Sequence, residues 1–136
     1  MISPEEFVER LCRLGADRGP RKFPRKQRDR EILMKSIGMT LSSDRDYSEP
    51  EINEHLARWN REIAPAIEVD YVTLRRLLVD YGRLERSRDG ANYRVGFPPR
   101  MVAFDLEVDD IDMRATIAAY RDHMERERAR RAAEHA

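Results

Sequence analysis

The sequence has few of the features that mark most functional classes. It contains a single cysteine, Cys12, among its 136 residues, so no intramolecular disulfide can form and the chain suits a reducing compartment. Cys12 falls at an apolar position of a helical pattern and reads as core packing. The histidines, His55, His123 and His135, are far apart, and no His-x-x-x-His, Cys-x-x-Cys, glycine-rich phosphate loop or nucleophile elbow occurs. His55, beside Leu56, reads as a partly buried helix residue rather than a base. The expectation is a protein that is not an enzyme and needs neither cofactor nor metal. No apolar run approaches the ~20 residues that cross a bilayer. The opening MISPEEFVERL places acids where a secretion signal needs a basic flank. A soluble, cytoplasmic protein with no membrane partner is expected.

Charge of one sign is also missing. Basic and acidic residues number 26 each, so no net field draws the molecule toward nucleic acid and any electrostatic recognition must be local. Lysine is scarce, confined to Lys22, Lys26 and Lys35. In so arginine-rich a chain each arginine is weaker evidence of phosphate recognition. The apolar fraction of 40% suffices for one small core.

What is present is punctuation. Ser3, Pro4 and Glu6 open a first helix as cap, early proline and capping box, with Phe7, Leu11 and Leu14 at helical spacing and Gly15 as its stop. Gly19, Pro20 and Pro24 mark a linker. The second helix is expected from about Pro24 to Gly38, burying Ile32, Leu33, Met34 and Ile37. Tyr47 is placed in a short strand, after which Ser48, Pro50 and Glu51 repeat the capping arrangement. The third helix carries Ile52, Leu56 and Trp59 on one face, and Pro65 requires its end near Asn60 or Arg61. Asp70 caps a fourth helix, Tyr71 to Tyr81, with Tyr71, Leu74, Leu77, Leu78 and Tyr81 on one side and Thr73, Arg75, Arg76 and Asp80 off it. Gly82 is a left-handed stop. Asp89-Gly90 then turns a hairpin between residues 84–88 and 92–95.

Beyond Gly96 the pattern weakens: a strand around Met101 to Leu106, or an ordered arm. Asp110 or Asp112 caps a last helix with the narrow stripe Met113, Ile117, Tyr120 and Met124, suited to packing on the first helix or to pairing in a homodimer. From there ERERARRAAEHA has no apolar face and reads as a solvated, fraying end.

The order helix, strand, helix, helix, hairpin gives the fold class: mainly α with a small β-hairpin, a winged helix-turn-helix-like domain (residues 17–95) with additional N- and C-terminal helices in segments 1–16 and 96–136. Two separated motifs carry a family resemblance. Tyr47, Ser48, Glu49, Glu51, Ile52 and Asn53 form the first. The second is Asp70, Leu74, Arg75, Arg76, Leu78, Val79, Asp80, Gly82, Leu84, Arg86, Gly90 and Tyr93. Residues from about 18 to 95 resemble the domain-of-unknown-function 2087 family, found alone and attached to bacterial transcriptional regulators. The departures are Ser48 for the family's usual Thr and a longer REIAPAIE loop before the fourth helix. The resemblance implies a winged-helix-like shape and no assigned activity.

Candidate sites follow from that shape. In helix-turn-helix docking the second helix of the motif enters the major groove. Here that is the fourth helix, with Thr73, Arg75 and Arg76 facing outward. Arg86 and Arg88 would clamp the backbone from the wing, and the basic run with Arg21, Lys22, Arg25 and Lys26 would track phosphates. Double-stranded DNA is the expected partner. Against it, Asp80 lies one turn beyond Arg76 and would repel phosphate. Arg75, Arg76 and Asp80 could instead tie the fourth helix to Glu49, Glu51 or the wing. The acidic residues Asp105, Glu107, Asp109, Asp110 and Asp112 lack EF-hand spacing and read as charge-pairing and capping groups. The rival function is a protein-interaction or dimerisation module that never touches nucleic acid, in which Val72 and Val79 would be covered by a partner.

Overall fold

The structure, a computed structural model, describes residues 1–98 and 102–136. Its order is α1 (Pro4–Gly15), α2 (Gln27–Gly38), β1 (Tyr47–Ser48), α3 (Glu49–Glu62), α4 (Tyr71–Asp80), β2 (Leu84–Arg86), β3 (Asn92–Val95), a 3₁₀ turn (Leu106–Asp110) and α5 (Met113–Glu134). The protein is mainly α, with one antiparallel sheet ordered β1-β3-β2. Tyr47 faces Tyr93 on one side of β3, and Arg86 faces Tyr93 on the other.

Local chemistry accounts for the helix starts. Ser3, Ser48, Asp70 and Asp112 each accept a hydrogen bond from the backbone N–H three residues on, answering a donor with no partner inside the helix. Among the described residues the capping box is complete only at α3, where the Glu51 carboxylate accepts from Ser48 N at 2.9 Å. At α1 the Glu6 carboxylate is instead taken by Arg28 and Arg10. The corresponding box expected there is therefore half formed.

The core runs through all three segments of the chain, from Ile2, Phe7 and Leu11 through Ile32, Leu33, Ile52, Leu56 and Trp59 to Val108 and Ile117. The middle of α2 is buried almost all round, Ser36 included. Ser36 escapes a desolvation penalty by donating from Oγ to Leu33 O at 2.6 Å and accepting from Trp59 Nε1 at 2.8 Å. α1 packs on α2 and is in turn covered by α5 and the 3₁₀ turn. Ile2 forms a parallel bridge with Phe104, its N–H and C=O bonding Ala103 O and Asp105 N. The arm of residues 102–105 is thus ordered backbone carrying one bridge; Met101 of the expected strand lies outside the described residues.

Several expectations need correction. α2 starts at Gln27 rather than Pro24, because Arg21 is held extended against Ile67 and Lys26 remains extended at ψ 129°. Gly15 ends α1 as expected, though without a left-handed backbone: among the described residues only Gly82 and Gly90 have positive φ. Gly15 permits close approach, since a Cβ would lie 3.1 Å from Ala64 Cα. α3 runs to Glu62, one residue past the expected limit. The hairpin does not use a two-residue mirror turn. Gly90 N donates to Ser87 O, and only Gly90 is left-handed, while Asp89 accepts from Ser87 Oγ and Ala91 N. Tyr71 and Tyr81 are 44% and 41% exposed rather than part of the buried side, which narrows to Leu74 and Leu78. Val79 packs against the core and is not left for a partner. α5 continues as helix to Glu134, held in its solvated half by pairs such as Arg126 with Asp122 and Arg130 with Glu134. Packing on α1, one of the two expected uses of its stripe, is formed: Met113 and Ile117 are buried and Tyr120 packs on the core.

Candidate nucleic-acid interface

The long loop between α3 and α4 is fixed at several points. Asn60 Nδ2 donates to Ala64 O and Ile67 O, both at 2.9 Å. Ala66 N bonds Gly15 O, while Arg21 N bonds Ala66 O and Glu68 N bonds Arg21 O. Gly19 is required here, since a Cβ would sit 2.6 Å from Ala66 O. The extra residues therefore do not leave α4 loose; they anchor the basic run beside its N-terminus.

That run is tied at both ends of α4. Arg21 pairs with Ile67, three residues before the Asp70 cap. The Arg30 guanidinium lies 4.1 Å from the centre of the Tyr81 ring, at the helix C-cap. Residues 22–29, the strap, are therefore held between one tie just before α4 and another at its C-cap. On the other flank stands the hairpin: Arg75 of α4 and Arg86 of β2 lie 5.7 Å and 6.0 Å from the same Tyr93 ring. Strap, helix and wing are adjacent.

The arginines and lysines of this region divide by their partners. Arg75 is 13% exposed, pairs with Glu49 at 3.0 Å and hydrogen-bonds Asn53 Oδ1. It joins α4 to the start of α3 rather than facing outward. Arg83 is paired with Glu31, both nearly buried, and Arg94 with Asp46. Arg28 and Lys35 are neutralised by Glu6 and Asp109. Arg21 donates to Arg18 O and its backbone is held by the α3–α4 loop. Thr73 is exposed, but its hydroxyl donates to Asp70 Oδ2 within the cap. The Asp70 carboxyl is held below its usual range first by the Thr73 N–H and then by that hydroxyl.

Among the described residues no salt bridge is formed by Lys22, Arg25, Lys26, Arg76, Arg86 or Arg88, and all six are exposed. Arg76 and Asp80, one turn apart, form no ion pair, so the expected charge network contains Arg75 alone. Sequence reasoning missed two contributors. Arg30, whose ring contact docks the strap, belonged to the basic run but had no visible partner. The Asn60 clamp carries no sequence signal, because both of its acceptors are backbone carbonyls in the loop that follows.

The acidic residues act as expected for capping groups. Asp105 accepts from Glu107 N and Asp112 from Ala115 N. Asp109 binds Lys35 and not the strap. Among the described residues no group of three His, Cys, Asp or Glu side chains is placed to hold a metal ion, and no helix is long and apolar enough to cross a membrane. Residues 21–95 match the model of a family described as an uncharacterised protein conserved in bacteria, DUF2087. No curated protein and no solved structure matches the chain.

Proposed function

Because the chain belongs to the DUF2087 family, which brings a shared domain and no activity, we propose from the geometry alone that it is a winged-helix protein that binds double-stranded DNA and acts in transcription regulation. The order α2, β1, α3, α4, β2, β3, with β1 completing the sheet beside β3, supports the winged-helix reading. The observation that carries the proposal is a set of cations, Lys22, Arg25 and Lys26, that form no ion pair among the described residues and sit on a strap tied near both ends of α4. These would hold phosphates, joined by Arg86 and Arg88 from the wing, while Arg76 presents the one unpaired guanidinium of α4 toward base edges. Arg21, Thr73 and Arg75 act in support: Arg21 anchors the strap, Thr73 completes the cap and Arg75 orients the helix.

The test is fluorescence anisotropy on a labelled mixed-sequence duplex at several salt concentrations. Binding should weaken steeply with salt. Replacing Lys22, Arg25 and Lys26 together with alanine should reduce the slope of log K against log salt by roughly 2–3, at about 0.9 per phosphate contact. Absence of binding near 50 mM salt overturns the reading. Asp80, exposed and unpaired on the same helix, is the specific observation favouring the alternative, a protein-interaction module. In that case pull-down of a basic partner would depend on Asp80, and the strap alanines would have no effect.

A further inference from the structure

A cleft of about 360 Å³ opens between the C-terminal half of α2 and the base of the hairpin, within the size range of small-molecule sites, roughly 300–1,000 Å³. Its walls mix polar and apolar surface in nearly equal parts; the apolar part includes Met34, Ile37, Leu78, Leu84 and Val95, with Phe97 at the lip and 70% exposed. Two cations, Lys35 and Arg83, and one carboxylate, Asp109, complete it. The Arg83 side chain is 9% exposed, and its pairing with Glu31 runs through Nη2. Its Nε–H, buried, has no acceptor among the described residues. A buried donor left unanswered costs about 1–3 kcal/mol relative to one that is bonded. Lys35 is held by Asp109, which is 56% exposed, and lies 5.6 Å from the centre of the Phe104 ring; an ion pair that open to water is readily exchanged.

We propose that this cleft binds a small apolar monocarboxylate, its hydrocarbon body against Met34, Ile37, Leu84 and Val95 and its carboxylate accepting from Lys35 and Arg83. Both cations are paired, Lys35 with Asp109 and Arg83 with Glu31, so net charge does not select the ligand; the class follows from the Arg83 Nε–H that lacks an acceptor among the described residues and from the exposed Asp109, which a ligand carboxylate can replace on Lys35. The ligand's head would take the place of Asp109 on Lys35. The site is separate from the strap and the exposed side of α4, and the proposal does not depend on DNA binding.

Isothermal titration of the whole protein with decanoate, decanol and decylamine tests it, with amide NMR shifts locating the ligand. The expected result is saturable binding of one decanoate per chain, at least tenfold weaker binding of decanol, no binding of decylamine, and shifts centred on Gly38, Val95 and Gly96. Gly38 lines the cleft, and a Cβ there meets nothing within 4 Å. Gly38→Leu should therefore weaken decanoate at least tenfold with the amide spectrum otherwise retained, and Lys35→Met should remove the preference for decanoate over decanol. The proposal is overturned by no saturable decanoate binding to the native protein, by equal affinity for decanol, or by shifts lying elsewhere. The shift map is read on the native protein, so it decides the matter even if a variant fails to fold.

Discussion

Arg75 and Arg76 are neighbours of the same type on one helix, and the structure assigns them opposite roles. Arg75→Ala removes a hydrogen bond to Asn53, a 3.0 Å pair with Glu49 and a ring contact with Tyr93 from a side chain 13% exposed. A charged hydrogen bond in such a setting contributes about 1.5–3 kcal/mol, and a partly screened cation–π contact about 0.5–1. Glu49, 43% exposed, regains water when its partner leaves and adds little. The loss should be about 2–4 kcal/mol, or a midpoint lowered by roughly 6–20 °C at about 3–5 °C per kcal/mol for a chain of this size. Arg76→Ala removes an exposed side chain with no ion pair and should stay within about 0.5 kcal/mol of the native protein. Urea unfolding followed by circular dichroism measures both. Equal destabilisation by the two substitutions, or a neutral Arg75→Ala, refutes the division. In DNA binding the order should reverse: Arg76→Ala loses affinity at temperatures where the fold is intact, while Arg75→Ala loses it mainly as α4 loosens.

The Glu31–Arg83 pair offers a second test. Both partners are under a tenth exposed, so Arg83→Met strands a buried carboxylate and should cost about 3–5 kcal/mol, whereas Glu31→Leu with Arg83→Met should recover most of that loss; denaturant midpoints of the single and double variants decide it. Acid should destabilise the fold through exposed carboxylates. Glu51 is held below its ordinary 4.5 by the Ser48 N–H and hydroxyl and then by Arg45, and Glu62 by Arg114. Their folded values are the lower ones, so the stabilisation is complete above about pH 4.5 and disappears as pH falls through the folded values. Thermal midpoints between pH 6 and 3 should drop, and less steeply in Glu51→Gln. Burial pushes the Cys12 thiol up to about 11, so a thiol-reactive disulfide reagent at pH 8 should label it only on the timescale of unfolding, and rapid labelling of native protein contradicts the burial.

Elements announced by local chemistry were legible in the sequence. The four helix caps, the Gly82 stop and the Gly90 turn each depend on residues within a few positions, and all stand where the pattern placed them. Features set by distant partners were not. The start of α2 is decided by Arg21 meeting Ile67, the burial of Arg75 by Asn53, and that of Arg83 by Glu31 far back in the chain. A helical wheel put Tyr71 and Tyr81 with the leucines because it records angle alone. How wide a face is covered depends on what packs there, and at Tyr81 the neighbour is the Arg30 guanidinium. The persistence of α5 to Glu134 could have been read from the four-residue spacing of Asp122 with Arg126 and of Arg130 with Glu134. The missing apolar stripe correctly marked that stretch as solvated and wrongly suggested that it frays.

The bridge between Ile2 and Phe104 bears on the order in which the molecule is assembled during synthesis. α1 is made before α2 and can settle on it at once, but the arm and α5 that cover its other side are made after the hairpin. Until the arm and α5 are made, Phe7 and Leu11 lack that cover, while the hairpin and α4 can complete their own contacts ahead of them. Closing the bridge joins positions about a hundred residues apart, an entropic cost that grows slowly with loop length but is met only by contacts formed at the end. The family-matched region would then be shaped before the arm and α5 close over α1.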